Sequence, residues 1–517
     1  MATQDAPVDV SIAINPNNLE AVPGLVREIN EGVKTLATGG HEARHELIVK
    51  ARSLMLALEA PRETMIKHCW AQTGAMASIN LGIDTGLWTL MAKNGDKPQK
   101  VADLSRELGI DPALLSRLLR HLSAMGYITE TNTDEYLPTN FTKSLSLPII
   151  SGGYPAMLSV SRGAIMFHEY ARARGWKNPT DAKDTSMMFA YKTDKDMFAY
   201  QQELGYGPHF NLHMGGYRQG RPPWMTKIYP VQERLIKGAD TDPEAPFLVD
   251  VGGSVGHDLV QFHQNFPDHP GKLILEDLDV VINQIPDPER LGAIKKLPHD
   301  FTKPQPVKGA RAYYMHSCLH DWPDDVCNVI LGHLKNAMKP GYSKLLINEN
   351  VLPKRNAHWE SSALDMVMLT LFNSKERTHA DWYYLLEELA GLKIVKIWDG
   401  GKGVESVIEC EVLPSREGDP SPANLEQAHA FLPAKASESG MKLEYGVATR
   451  ELAHENVGEG SSDLVICKMA AHFIDPDGLV SSAARMLRSG GTLAIFSYWM
   501  PVFPRQSAHF HDVFART

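Results

Sequence analysis

Residues 247–257 restrict the possible folds of this chain more than any other stretch. They read Phe-Leu-Val-Asp-Val-Gly-Gly-Ser-Val-Gly-His, so an apolar run leads into two adjacent glycines, and apolar residues resume at Leu259. This pattern predicts a buried strand, a tight turn and the beginning of a helix. Because Gly252 and Gly253 have no Cβ, a ligand can lie directly on their backbone, where the N–H groups of the helix also point.

An acidic residue at the end of a second predicted strand indicates which ligand this turn binds. A strand followed by glycines is by itself often only a connection between strand and helix. Residues 273–277 read Leu-Ile-Leu-Glu-Asp, however, and an acid such as Asp277 at this place commonly binds ribose hydroxyls. The spacing Gly-Gly-x-x-Gly differs from the Gly-x-Gly-x-x-Gly of dinucleotide sites. The sequence therefore favours a ligand with one nucleoside and no pyrophosphate.

Further strands and helices alternate after this point. Residues 310–319 and 344–349 are predicted strands with a helix over 324–338 between them, and a short strand ends at His299. This alternation predicts an α/β fold with an open, Rossmann-like doubly wound sheet. Ligands of such sheets bind at the carboxyl ends of the strands. We therefore expect one cleft to contain Gly252, Asp277, Asp300, His320 and Glu349.

The sequence around His320 is typical of a proton-transfer site. A histidine at a strand end is often structural, but Asp321 follows this one, and Glu349 and Glu376 lie in elements that can converge on it. A carboxylate that accepts the Nδ1–H proton fixes the tautomer and raises the basicity of Nε2. Such a base is suited to deprotonating a phenol while its oxygen attacks a sulfonium methyl group, a reaction that depends mainly on alignment. No cluster has metal-ligand spacing, so no metal is expected.

Composition argues against several classes of partner. The net charge of −10 gives no general attraction to nucleic acid or to an anionic membrane. No stretch approaches the roughly 18 apolar residues of a membrane span, and the N-terminus does not resemble a signal peptide. The five cysteines are scattered without pairing, which is typical of a reducing compartment. A cytoplasmic protein that acts on a small molecule is expected.

The first 150 residues predict a helical region followed by a winged-helix module. Helices over 101–109 and 111–122 precede a small hairpin between residues 126 and 138. A DNA-binding interpretation would use Arg117, Arg120 and His121. We prefer a dimerisation or docking module within an enzyme, because this helix carries only two arginines and the whole chain is acidic.

Residues 151–245 are mostly helical and rich in methionine and aromatic side chains. Such residues usually form core. Their position just before the predicted ligand-binding sheet is also typical of the wall of a pocket for flat, apolar substrates. The two interpretations are compatible.

Six motifs together resemble the plant and fungal class I O-methyltransferases that use S-adenosylmethionine, over residues of about 50 to 413. They are residues 249–256, 276–278, 299–301, 316–325, 346–349 and 375–378. The resemblance implies that Gly252 lies at the methionine end of the cofactor, that Asp277 binds the ribose, and that Asp300 and Phe301 hold the adenine. It also implies that His320 is the general base, oriented by Glu349 and Glu376, and that the N-terminal winged helix forms a dimer.

Two residues depart from the pattern of these enzymes. Ser254 replaces the third glycine of the usual turn, and His316 stands where the relatives have a cofactor-contacting lysine or arginine. Some relatives have lost the His-Asp pair and catalyse dehydration or pericyclic steps. The pair His320–Asp321 is intact here, which favours methyl transfer over a lyase or pericyclase that keeps the cofactor as a scaffold.

The last hundred residues repeat part of the same pattern. Residues 462–472 resemble the strand that leads to His320, residues 480–487 the following helix, and residues 490–497 the fifth strand. No strand and glycine turn precede them, so we expect a packing or vestigial segment without its own cofactor, and we assign no role to His472. The predicted divisions are a dimerisation domain 1–150, a substrate-pocket region 151–245, a cofactor-binding catalytic domain 246–413, a linker 414–424 and a partial methyltransferase-like segment 425–517.

Overall fold

The computed structural model describes residues 8–413, except Arg218 and Pro286, and two strands nearer the C-terminus. The chain divides into two units, Met1–Leu413 and Pro414–Thr517. Within the described residues, no helix combines the length and apolar character that crossing a bilayer requires.

The N-terminal part of the first unit is helical and contains one small antiparallel sheet. Its α-helices are α1 (Val22–Thr35), α2 (Gly40–Leu58), α3 (Pro61–Ile66), α4 (Thr73–Asp84), α5 (Leu87–Asn94), α6 (Val101–Leu108), α7 (Pro112–Ala124) and α8 (Asn140–Ser144). Its strands are β1 (Gln99–Lys100), β2 (Thr129–Asn132) and β3 (Glu135–Leu137), in the order β1-β3-β2. Helix, helix and hairpin thus follow in the predicted order.

Local sequence explains where these helices begin and end. The side chain of Asp111 accepts hydrogen bonds from the N–H groups of Ala113 and Leu114, so it caps the start of α7. Gly109, with φ of 72°, ends α6. Gly86, at φ 75°, separates α4 from α5.

Short helices then lead to the central sheet. They are α9 (Pro148–Ser151), α10 (Gly153–Val160), α11 (Arg162–Ile165), α12 (Phe167–Ala173), α13 (Ser186–Tyr191), α14 (Met197–Glu203) and α15 (Gly207–Tyr217). Wider helical turns follow at Trp224–Ile228 and Gln232–Ile236.

A seven-stranded sheet with helices on both faces forms the rest of this unit. Its strands are β4 (Pro246–Val251), β5 (Lys272–Asp277), β6 (Lys295–Pro298), β7 (Ala312–His316), β8 (Lys344–Glu349), β9 (Lys393–Trp398) and β10 (Ser406–Glu411). Its helices are α16 (His257–Asn265), α17 (Asp279–Ile282), α18 (Asp324–Lys335), α19 (Trp359–Phe372) and α20 (His379–Tyr383). The order is β6-β5-β4-β7-β8-β10-β9, and only the pairs made by β10 are antiparallel. The predicted doubly wound α/β fold is confirmed.

Apolar side chains alternate between the two faces of each strand, which explains why helices cover both faces of the sheet. Val249 and Met315 pack into one core with α18, whereas Leu248 and Tyr314 pack into the other with α16. Because each of these side chains is almost fully buried, the strands are fixed in register. Their carboxyl ends therefore meet at one edge of the sheet, where Asp277, His316 and Glu349 lie.

The second unit contains two described strands, β11 (Ser462–Lys468) and β12 (Leu487–Phe496), which pair in parallel. They overlap the stretches 462–472 and 490–497 that were predicted from the repeated pattern, and β12 begins at Leu487, the last residue of the predicted helix. The predicted linker 414–424, the rest of the predicted helix and His472 lie outside the described residues.

Candidate active site

The turn after β4 forms a shallow backbone cradle. Gly252 has φ of 75°, and a Cβ at this position would lie 2.8 Å from the Cys318 sulfur. The N–H groups of Gly252 and Gly253 both donate to the carbonyl of Glu276, at 2.9 and 3.0 Å. A side chain is thus excluded from this position, and the backbone stays open to the cavity.

Asp277, at the end of β5, faces the same turn. Its carboxylate accepts hydrogen bonds from the N–H groups of Ser254 and Leu278, each at 2.7 Å. Burial raises the pKa of Asp277 to about 6, although these two hydrogen bonds act in the opposite direction. The Oγ of Ser254 is buried and has no hydrogen-bond partner among the described residues.

Asp300 and Phe301 follow β6 at the neighbouring strand end. The Asp300 carboxylate accepts hydrogen bonds from the backbone and the hydroxyl of Thr302, at 2.9 and 2.7 Å. Burial alone would raise the pKa of Asp300, but these hydrogen bonds hold it below its usual value. Phe301 packs edge-on against Trp322, with 6.3 Å between the ring centroids. This end of the cavity therefore combines an acid with an aromatic ring.

Three carboxylates surround His320, which is only 5% exposed. Its Nδ1 donates to Glu376 Oε1 at 2.5 Å, and Glu349 Oε2 lies 3.6 Å from the same nitrogen. Asp321 Oδ1 lies 3.6 Å from Nε2. The hydrogen bond to Glu376 places the proton of a neutral imidazole on Nδ1 and leaves Nε2 able to accept another proton.

Glu349 has a second contact that the sequence did not reveal. Its Oε1 accepts hydrogen bonds from the backbone N–H groups of Cys318, Leu319 and His320, at 2.9, 2.9 and 3.4 Å. The carboxylate at the end of β8 therefore holds the short helical turn that carries the imidazole.

Electrostatics within this cluster favour a charged imidazole. Burial opposes the imidazolium, but the carboxylates of Glu349, Glu376 and Asp321 outweigh it and raise the pKa of His320 well above its ordinary value. Burial in turn raises the pKa of Asp321 to about 7, even beside that imidazole.

Arg377 fixes the segment that bears His320, and sequence analysis gave it no role. Its buried guanidinium donates to the carbonyl oxygens of Leu319 and Trp322, both at 2.9 Å, and to the Asp324 carboxylate at 2.7 Å. In the sequence, the position of Arg377 directly after Glu376 was the feature that could have indicated this role. Arg377 therefore connects the two segments that supply the imidazole and its carboxylate.

His316, at the end of β7, is held by an acid on the opposite helix. Its Nδ1 lies 2.8 Å from Asp258 Oδ2, in a pair whose side chains are 9% and 7% exposed. The other ring nitrogen, Nε2, is buried and has no hydrogen-bond partner among the described residues. His316 thus presents one unused polar atom near the turn after β4.

One cavity of about 1270 Å³ connects most of these groups. The predicted site residues that line it are Gly252, Asp277, Asp300, Phe301, His316 and His320. Seven carboxylates line it, namely Asp196, Asp250, Asp258, Asp277, Asp300, Asp321 and Glu360. Glu349 and Glu376 are not part of the lining and contact His320 or its backbone instead. His320 therefore lies in the same cleft as the glycine turn.

The other side of the cavity is apolar. Helices α10, α14, α15 and α19 contribute Met157, Met197, Phe198, Phe210, Met214, Leu364, Met368 and Phe372. These residues come largely from the methionine-rich and aromatic region 151–245. The cavity therefore brings an apolar wall, the imidazole of His320 and the glycine turn at Gly252 together.

Comparison with known proteins identifies the family. The family model for an O-methyltransferase domain matches residues 231–393, and one for a methyltransferase domain matches residues 416–495. O-methyltransferase mfmE of Annulohypoxylon moriforme is 33% identical over 402 residues, which are 77% of this chain and 98% of that protein. O-methyltransferase asqD of Emericella nidulans is 37% identical over 341 residues, 63% of this chain and 84% of the relative.

Solved structures agree with this assignment. LepI in complex with SAM superposes with a TM-score of 0.68 at 27% identity and covers 76% of this chain and 99% of that one. OxaC in complex with sinefungin and meleagrin gives 0.67 at 26% identity, with the same coverage. A structure titled "A Pericyclic Reaction enzyme" gives 0.68 at 26% identity, covering 76% of this chain and all of that one. The chain belongs to the O-methyltransferase family and is an S-adenosylmethionine-dependent enzyme.

Proposed function

We propose that the enzyme methylates a hydroxyl group of an aromatic or polyketide-like small molecule, with His320 as the general base. The observation that carries this proposal is that the imidazole, paired with Glu376, lines the same cavity as the glycine turn at Gly252. A base of this kind acts when it lies within hydrogen-bond reach of the proton it removes.

The residues at the strand ends fit the cofactor. S-adenosylmethionine supplies an electrophilic methyl group on a sulfonium centre. In our proposal, Gly252 and His316 contact its methionine end and Asp277 its ribose, while Asp300 and Phe301 hold the adenine. The cradle that a Cβ at Gly252 would fill and the unpartnered Ser254 Oγ support this assignment.

In the proposed mechanism, the carboxylates of the cluster orient the imidazole, and the imidazole transfers the proton. Glu376 holds the Nδ1–H group, so Nε2 of His320 accepts the proton from the substrate hydroxyl. Glu349 holds the backbone of the same turn and lies close enough to favour the resulting imidazolium. The apolar wall positions a flat acceptor and excludes water.

Incubation with methyl-labelled cofactor and a panel of phenols and naphthols tests the proposed function. Label transferred to the oxygen of an acceptor supports it. Conversion of a candidate substrate without incorporation of label would instead support a lyase or pericyclase. That alternative has a specific basis in the fold shared with the pericyclic enzyme.

Replacing Gly252 with alanine should weaken cofactor binding about tenfold, because the new methyl group meets the Cys318 sulfur and closes the cradle. Gly126→Ala is the matched control. Gly126 has φ of 79°, and nothing lies within 4 Å of an added Cβ, so this variant reports backbone strain alone. Calorimetric titration with S-adenosylmethionine measures both. Equal affinities in the two variants would contradict the place given to Gly252.

Removal of divalent metal should leave methyl transfer within about twofold of the untreated enzyme, because the proposed chemistry needs only a base and alignment. His320, Glu349 and Glu376 do bring three potential ligand atoms within 4.8 Å of one another. The hydrogen bond between His320 and Glu376 accounts for two of those atoms. Dialysis against a chelator, followed by assay with and without added Zn²⁺ or Mg²⁺, checks this. Loss of activity that metal restores would assign the cluster to an ion.

We also propose a cytoplasmic homodimer formed through the N-terminal helices. Apolar side chains on α1 and α2 are exposed, among them Val33 at 53%, Met55 at 45% and Leu58 at 47%. Cys69, Cys318, Cys327 and Cys410 are free thiols, typical of a reducing compartment. Light scattering should give twice the 57.3 kDa of the chain. A monomer at micromolar concentration would contradict this.

A further inference from the structure

A buried carboxamide, that of Gln201, interrupts the apolar wall of the cavity. Met197 and Gln201 lie four residues apart on α14, which places them on one face of the helix, and both line the cavity. Gln201 is only 1% exposed. Methionine and phenylalanine side chains dominate the wall to which it belongs, among them Met157, Phe198, Phe210, Met368 and Phe372. The amide is therefore an exception to the chemistry of this wall.

Contacts with α10 fix the orientation of the Gln201 amide. Its Nε2 donates to the carbonyl oxygen of Ala156 at 2.7 Å and to Ser159 Oγ at 3.5 Å. Because a carbonyl oxygen can only accept hydrogen bonds, the nitrogen of the amide and not its oxygen must face Ala156. The oxygen, Oε1, is buried and has no hydrogen-bond partner among the described residues. Oε1 is therefore the polar atom that Gln201 can offer to a molecule in the cavity.

Two neighbouring amides in the lining differ from Gln201 because they bond to protein. Gln284 Nε2 donates to Gln202 Oε1 at 2.9 Å, and Asn211 Nδ2 donates to Gln284 Oε1 at 3.4 Å. Gln202 and Asn211 line the same cavity as Gln201. A buried acceptor without a partner is costly, so such atoms are normally bonded. In the wall of a ligand cavity, the bound molecule can supply the missing donor, and such contacts fix its orientation.

We propose that Gln201 Oε1 selects acceptors that carry a second hydrogen-bond donor, a hydroxyl or an N–H group, besides the hydroxyl that is methylated. This inference rests on the proposed function, since it concerns the substrate of the same cavity, which both Gln201 and His320 line. The second donor bonds to Gln201 while the reacting hydroxyl lies at His320, so two contacts fix the position of the aromatic compound. An acceptor without that donor leaves Oε1 buried and unpaired, which weakens its binding.

Binding of matched compounds to the unaltered enzyme tests this proposal. The probes are the isomeric naphthalenediols and the corresponding naphthols, which lack the second hydroxyl. They are titrated calorimetrically into the full-length enzyme saturated with S-adenosylhomocysteine. We expect at least one diol to bind at least about tenfold more tightly than its naphthols. A smaller preference for every isomer would overturn the proposal. Because no methyl transfer is needed, this result is independent of whether labelled product forms.

Gln201→Met assigns the preference to this oxygen. The substitution removes Oε1 but keeps a side chain of similar length, so the preference for the diol should fall to within about twofold. Gln202→Met is the matched control on the same helix and in the same cavity. The oxygen of Gln202 already accepts a hydrogen bond from Gln284, so the ratio of the two affinities should persist in this variant. Thermal melting shows whether each variant is folded. A preference that survives in folded Gln201→Met, or that is lost equally in Gln202→Met, would refute the role given to Gln201.

Discussion

Replacing His320 with alanine is expected to lower kcat for methyl transfer by about 10³-fold and to leave the Kd of S-adenosylmethionine within about threefold. The large effect follows because the imidazole is the basic group that the cluster of Glu376, Glu349 and Asp321 orients and charges. The small effect follows because the proposed cofactor contacts, Gly252 and Asp277, lie at other strand ends. Single-turnover kinetics and calorimetric titration measure the two quantities separately.

Loss of the imidazole also leaves buried carboxylates without their partner, so the folded state must be checked. His320→Gln keeps a polar side chain of similar size, and His168→Ala is the control for the same substitution at a surface position, where the side chain is 60% exposed. Circular dichroism and thermal melting show whether each variant is folded. If a folded His320→Ala variant retains kcat within about tenfold, His320 is not the general base.

The strand ends were predictable because they are local features. The sequence predicts strands that end at Asp277 and at Glu349, because a run of apolar residues stops at each of these acids. Both strands occur at those positions. A parallel sheet then gathers such ends at one edge, whichever residues lie between them. The glycine turn could be predicted for the same reason.

Contacts between distant segments were beyond this kind of prediction. Arg377 contacts Leu319 and Trp322, more than fifty residues earlier, through backbone oxygens that carry no sequence signature. The hydrogen bonds from three backbone N–H groups to Glu349 likewise have no sequence signature. Sequence analysis therefore named acids around His320, but only the structure separates Glu376, which contacts the imidazole, from Glu349, which also holds its backbone.

Glu376→Gln is expected to lower kcat by about 10²-fold and to move the acidic limb of the pH–rate profile to lower pH. Burial disfavours the imidazolium, but Glu349, Glu376 and Asp321 outweigh it, so the pKa of His320 is raised above about 6.5 and the limb of the unaltered enzyme lies above that pH. A protonated base is inactive, so activity rises as pH increases through this pKa. Removing one carboxylate removes part of what stabilises the imidazolium, so the pKa falls and the limb moves down. The plateau falls as well, because the imidazole is less basic and less firmly held.

The direction of the shift separates an electrostatic role of Glu376 from a structural one. A general loosening of the site would lower kcat at every pH without moving the limb in a defined direction. Profiles of kcat against pH, measured for the unaltered enzyme, for Glu376→Gln and for Glu387→Gln, provide the comparison. Glu387 pairs with Lys393 away from the cavity, so its variant should leave the profile in place. A limb that stays in place or moves to higher pH in Glu376→Gln would mean that this carboxylate does not set the basicity of His320.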